Sequence, residues 1–243
     1  MTAHQPELLH FADSGEVADL AAFLGRLVHY DRAAAVRLQA GGDALAVFGR
    51  PPSFDVLAIR TARLAASEGL GILDVTVSAG ELLESIDEPA GTAVVAAAVT
   101  GPPWAGVLPP RGGWRQVPGL PGLEAMRAAV GAAVAEFRAR DEALPPEHRT
   151  RAERDRIGRE IWSRTLGDTE LPLRAVHAAQ SLGFLRPIRT TVPRQPVTDP
   201  VADVAAEPVA LLAAGSWLRL RTPYGSIATR RATGLGPLTI TPA

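Results

Sequence analysis

The chain has 243 residues, 47% hydrophobic and 21% charged, with a formal net charge of −1, the balance of a folded protein long enough to bury its own core. It contains no cysteine, which excludes disulfides, thiolate catalysis and cysteine-ligated metals. The opening MTAHQPELLHFADSGE lacks the basic and apolar regions of a secretory signal, and the longest uncharged run, Pro89 to Pro110, is too broken by Gly and Pro to span a membrane.

The first expected element is a helix. Asp13 and Glu16 have capping-box spacing, and Val17, Leu20, Phe23, Leu24, Leu27 and Val28 share one helical face. Ala34–Gln39 and Ala44–Phe48 then flank Gly41-Gly42-Asp43, which reads as a hairpin. Phe54–Ala62 and Gly71–Val77 read as two further strands. Ser78 and Glu81 repeat the capping pattern before a short helix, and the apolar run Ala93–Val99 reads as an inner strand.

Residues 101–122, GPPWAGVLPPRGGWRQVPGLPG, are too rigid and apolar for a disordered linker and read as an ordered loop lying on the fold, with a hinge between domains as the other option. Helices follow. Leu123, Met126, Val130, Val134 and Phe137 form one stripe, Glu147–Leu166 is a charged helix, and a third helix with Leu173, Val176 and Leu182 inward stops at Gly183. Pro193–Pro208 reads as an extended excursion. Trp217–Thr222 and Ser226–Arg231, around Pro223-Tyr224-Gly225, read as a closing hairpin, with Leu218 and Leu220 on one face and Trp217, Arg219 and Arg221 on the other.

All 25 basic residues are arginine, with neither lysine nor asparagine present. Codon bias in a GC-rich bacterial genome accounts for this without selection for phosphate contact. The charge is nonetheless uneven: residues 1–148 carry 11 arginines against 18 acids, and residues 149–243 carry 14 against 8. A basic end can contact nucleic acid or an acidic partner, or pack against the acidic half.

The five histidines lack metal-ligand spacing, a P-loop is impossible without lysine, and neither a strand-linked G-x-G-x-x-G nor a G-x-S-x-G occurs. No catalytic residue, metal ligand or cofactor is therefore assigned. The acids Asp74, Glu81, Glu84, Asp87 and Glu88 cluster in sequence as candidates for acid–base work, but Glu84, Asp87 and Glu88 sit on or just past the polar side of the short helix and read as a solvated face. Arg149, Arg151, Arg154, Arg156, Arg159 and Arg164, interleaved with Glu153, Asp155 and Glu160, read as a helix that bridges itself.

Two constellations remain. Trp104, Arg111, Trp114 and Arg115 combine tryptophan with arginine on a proline-stiffened loop, the composition of a partner-binding surface. From Arg149 to Arg231 the element order also resembles a winged helix–turn–helix. Arg174, His177 and Gln180 would then face bases, with Arg219, Arg221, Arg230 and Arg231 on the wing.

The expected fold is α+β: a mostly antiparallel N-terminal sheet with helices over residues 1–115, then a helical half, 116–243, ending in a β-hairpin, the two being separate or continuous. The expected function is that of a cytoplasmic, non-catalytic binding or scaffold protein, meeting a protein partner or a second copy through the Pro/Trp/Arg loop or the basic hairpin. A DNA-binding regulator is the alternative, and an enzyme with a dispersed site the third.

Overall fold

Asp13 opens the first long helix by accepting the Glu16 amide at 3.0 Å, and α1 (Ser14–Tyr30) buries Val17, Leu20, Phe23, Leu24 and Leu27. Just before it runs a short strand, β1 (Leu8–His10). The hairpin of β2 (Ala35–Gly41) and β3 (Ala44–Gly49) turns through Gly42, whose φ of 63° suits glycine. β4 (Leu57–Arg63) and β5 (Asp74–Ser78) extend this sheet. Ser78 then caps α2 (Ala79–Glu84) by accepting the Glu81 amide. The computed structural model describes residues 7–65, 73–187 and 209–231; the excursion expected at Pro193–Pro208 lies outside them.

The run Ala93–Val99 departs from its expectation. Only Thr92–Val94 is a strand, β7, and with β1 and β6 (Ile86–Asp87) it forms a separate three-stranded sheet. Downstream, Val99 is 39% exposed and only Ala98 bridges to Val77. The alanines supply hydrophobicity without the branched or aromatic side chains that fill a sheet face, so an apolar run did not mean an inner strand.

The second half begins with β8 (Arg115–Val117) and α3 (Leu123–Glu142), which buries Met126, Val130 and Ala133. The charged helix is shorter than expected: Pro146–His148 makes a 3-10 turn, and α4 (Arg151–Trp162) starts only where Thr150 accepts the Glu153 amide. The chain then forms α5 (Leu173–Ser181), which ends at Gly183 (φ 75°). There the Phe184 amide reaches Ala179 and the Gly183 amide reaches Gln180, a Schellman termination. β9 (Ala210–Ala214), β10 (Trp217–Thr222) and β11 (Gly225–Arg230) complete the described chain.

The larger sheet has eight strands in the order β5-β2-β3-β4-β11-β10-β9-β8, every neighbouring pair antiparallel. Both halves contribute four of them. Read from either edge, the sheet begins with an outer strand and continues as a three-strand meander that ends at the centre. Each meander is preceded by a helix: α1 packs on β4, and α5 packs on β11. The halves join through Ser226, Ile227 and Ala228, opposite Ile59, Ala58 and Leu57.

Strand alternation gives the sheet two unlike faces. Val36, Leu38, Leu45, Val47, Ala58, Leu218, Leu220 and Ile227 enter one core with the helices. Phe184 stacks on Phe23 at 5.7 Å and covers Gly225 so closely that a Cβ there would lie 2.6 Å from its ring. The opposite face carries a smaller apolar cluster, Phe48, Leu57, Ile59 and Ala228, with Ala46, Trp104, Leu108 and Trp217 packed against it.

Candidate functional site

The proline-rich segment after β7 crosses this second face as a strap. Arg37 fastens it: Nε and one terminal nitrogen bind the Asp74 carboxylate at 2.7 and 2.8 Å, and the other terminal nitrogen donates to the Ala105 carbonyl. Hydrogen bonds from Arg37, opposed by burial and aided by Gln39, hold the Asp74 carboxyl below its ordinary value. Pro103–Gly106 makes a 3-10 turn, seating half-buried Trp104 over the small cluster.

Beside Trp104 the strap leaves a cleft of about 370 Å³. Its apolar lining is Val56, Leu57, Val107 and Ala228 with the indoles of Trp104 and Trp217. Its charged lining is Arg50, Arg174, Arg230 and Arg231, with Asp55 the one acid among the described lining residues. Both halves of the chain build this pocket, whose size and mixed lining suit a small organic ligand.

The arginines differ in their partners. Arg50 binds Asp55 at 2.8 Å, and the Nε of Arg231 lies 3.4 Å from the Glu170 carboxylate, an ion pair without hydrogen-bond geometry. Arg230 lies over the Trp217 ring at 4.9 Å and meets no carboxylate among the described residues. Arg174 has neither kind of partner among the described residues. Its Nε is buried without a hydrogen-bond partner, it has no ion pair among the described residues, and it stands in the first turn of α5, where the helix dipole disfavours a cation. No carboxylate among the described residues pairs with it.

The rim carries backbone strain. Ser53 and Asp55 both have positive φ, 69° and 52°, a conformation that costs a non-glycine residue on the order of 1 kcal/mol or more. The loop is held there by buried Phe54, whose ring meets the His177 imidazole edge-on at 5.1 Å.

The structure divides the loop residues expected to act together. Trp104 belongs to the cleft. Arg111 is exposed and lines a separate hollow of about 170 Å³ with Leu108 and Arg219. Trp114 donates from its indole to the Pro110 carbonyl at 2.9 Å and has the Arg219 guanidinium 5.8 Å above its ring. Arg115 is exposed at the start of β8. Burial, then the neighbouring Arg221, push the Arg219 guanidinium down from its ordinary value.

The residues of the winged-helix comparison are also redistributed. Arg174, Arg230 and Arg231 meet in the cleft, whereas Arg219 and Arg221 lie further along the strapped face. His177 is stacked on Trp162 at 4.4 Å, and burial lowers its pKa, while Gln180 is exposed. Leu173, Ala175, Val176, Ala178 and Ala179 are buried, so α5 packs into the core along most of its length. Sequence reading missed Arg50 and Asp55 altogether. Between them the sequence shows a Pro51-Pro52 corner, which marks a turn and says nothing of what lies across the sheet.

The strapped α+β sheet with an arginine–tryptophan cleft defines a two-part chain sharing one site. Residues 109–234 match the model of a domain of unknown function (DUF8185), and residues 4–106 match that of another (DUF8010). The chain belongs to the DUF8185 family. Neither a curated protein nor a solved structure matches it.

Proposed function

We propose that this chain is a non-catalytic binding protein whose primary site is the arginine–tryptophan cleft and whose ligand is anionic. The uncompensated Arg174 carries this reading. A guanidinium with a buried, unpaired nitrogen at the positive end of a helix is a cost to folding, and an anion in the cleft would offset it. Arg230 supplies a second unpaired cation, and Trp104 and Trp217 give the ligand an apolar wall. The test is a titration of tryptophan fluorescence with phosphate and citrate at fixed ionic strength. Saturable quenching that weakens about tenfold or more in Arg230→Gln supports the site; quenching equal to that of chloride rejects it.

The same strapped face supports a second reading. Trp217, Arg219 and Arg221 alternate along β10, and neither arginine is paired with an acid among the described residues. A nucleic acid would lie on this sheet face, not on α5. Such binding would weaken steeply with salt, and Arg219→Ala with Arg221→Ala would flatten that slope. The composition supports a bacterial, GC-rich origin, and the absence of cysteine accords with a reducing cytoplasm. No described helix is long and apolar enough to cross a membrane.

A further inference from the structure

The charges and walls of the cleft specify more than an anion. Of its four arginines, Arg50 is answered by Asp55 and Arg231 by Glu170, which leaves Arg174 and Arg230 as two positive charges without a counterpart among the described residues. Two fixed cations match a dianion. A phosphate monoester carries about −1.5 to −2 near neutral pH and offers three strong acceptor oxygens. Guanidinium groups bind such an anion through planar, paired donors, which ammonium groups cannot offer.

The volume calls for more than the anion. A bare phosphate is only a few times larger than a water, whose share of the liquid is about 30 Å³, and would leave most of a 370 Å³ cleft unfilled. What remains is bounded by Trp104, Trp217, Val107 and Leu57, surfaces that favour a flat, apolar body. Trp217 is already overlaid by Arg230 at 4.9 Å, so the arginine that would meet the phosphate also stiffens the aromatic wall beside it.

We infer that the ligand is a phosphate monoester bearing a planar ring, of the size and chemistry of a nucleoside monophosphate, its phosphate on Arg174 and Arg230 and its ring against Trp104 and Trp217. This rests on the anion-binding reading above and narrows it. Asp55, exposed at the rim in its strained conformation, is placed to accept hydrogen bonds from the hydroxyl or amino groups of such a molecule.

The test is calorimetry on the full chain at constant ionic strength. The probes are inorganic phosphate, the four common ribonucleoside monophosphates, the matching nucleosides, and terephthalate as a planar dicarboxylate. At least one monophosphate should bind about tenfold or more tighter than phosphate, its own nucleoside and terephthalate. Trp217→Leu should erase that advantage, so that the monophosphate and inorganic phosphate then bind the variant within a few-fold of one another, with Trp104→Leu as the second variant should the first fail to fold; a variant that keeps the full advantage overturns the inference. Phosphate as tight as every monophosphate means the ring is not read and overturns the inference while leaving the anion site standing. A nucleoside or terephthalate as tight as the monophosphates overturns it as well. If no probe binds, phosphate included, the anion-binding reading itself has failed.

Discussion

Along β10, Leu218 and Leu220 enter the core with the helices, while Trp217, Arg219 and Arg221, their immediate neighbours, lie half-buried on the opposite face. On the first face, apolar side chains are sealed by whole helices. On the second, one strap covers Phe48, Leu57, Ile59 and Ala228, and arginines and tryptophans fill the rest. The same contrast separates two groups of arginine. Between α3 and α4, Arg140 binds Glu160 at 2.8 Å, Arg164 binds Glu136 at 2.6 Å and Arg154 binds Asp141 at 2.7 Å, whereas Arg174 and Arg230 in the cleft have no such partner among the described residues. Arginine is therefore a structural residue in one place and a surplus charge in the other, and the difference points to the cleft.

The contrast between the faces should be largest in stability. Leu218 is 1% exposed, and Leu218→Asp places an unpaired carboxylate among apolar side chains, a loss expected at roughly 4 kcal/mol or more. Trp217→Asp, one residue away on the half-open face, should lose much less, within about 2 kcal/mol. Urea unfolding of the pair measures both, and equal losses would erase the distinction between the faces.

A smaller effect should attend release of the strap. Arg37→Ala removes the bonds to Asp74 and to the Ala105 carbonyl, a loss of roughly 1–2 kcal/mol for partly exposed charged bonds. It should also lower anion affinity, because Trp104 follows the strap. The contribution depends on pH through Asp74, whose carboxyl is depressed in the fold. It is complete above the ordinary value of 3.8 and is lost as pH falls through the lower folded value. A stability difference between wild type and Arg37→Ala that does not shrink at all as the pH is lowered below 3.8 would contradict this fastening.

These expectations also mark what could be read in the chain itself. The alternation of Leu218 and Leu220 with Trp217, Arg219 and Arg221 is visible in sequence, as are both hairpins, the capping residues Asp13 and Ser78, and the stop at Gly183. The joining of β4 to β11 is not, because residues some 170 positions apart carry no periodic signal of their pairing. The cleft depends on that junction: Arg50 and Asp55 come from one side of it, Arg230 and Arg231 from the other. Periodicity also cannot tell α3–α4 arginines from cleft arginines. Arg154, Arg164 and Arg174 differ only in which carboxylates the folded chain brings near them.

The paired arginines should respond to acid and leave the cleft untouched. Hydrogen bonds from Arg140 bring the Glu160 carboxyl from an ordinary 4.5 down to about 2, so the seam between α3 and α4 should hold above pH 4.5 and loosen as the pH falls toward 2. Because these groups are exposed, the effect is small. Trp162, at the end of α4, provides a fluorescence reporter of it. A transition centred near pH 4.5 instead would mean that the pairs do not persist in solution.

Arg174→Met separates the two roles of arginine most directly. Methionine keeps an apolar stem at the start of α5 and removes the uncompensated charge. Melting and anion binding should be measured on the same preparation. If Arg174 serves the ligand and not the fold, the variant should melt at or slightly above the wild-type temperature and lose saturable phosphate binding. A variant that melts several degrees lower and still binds phosphate like the wild type would place Arg174 among the structural arginines and remove the cleft as the binding site.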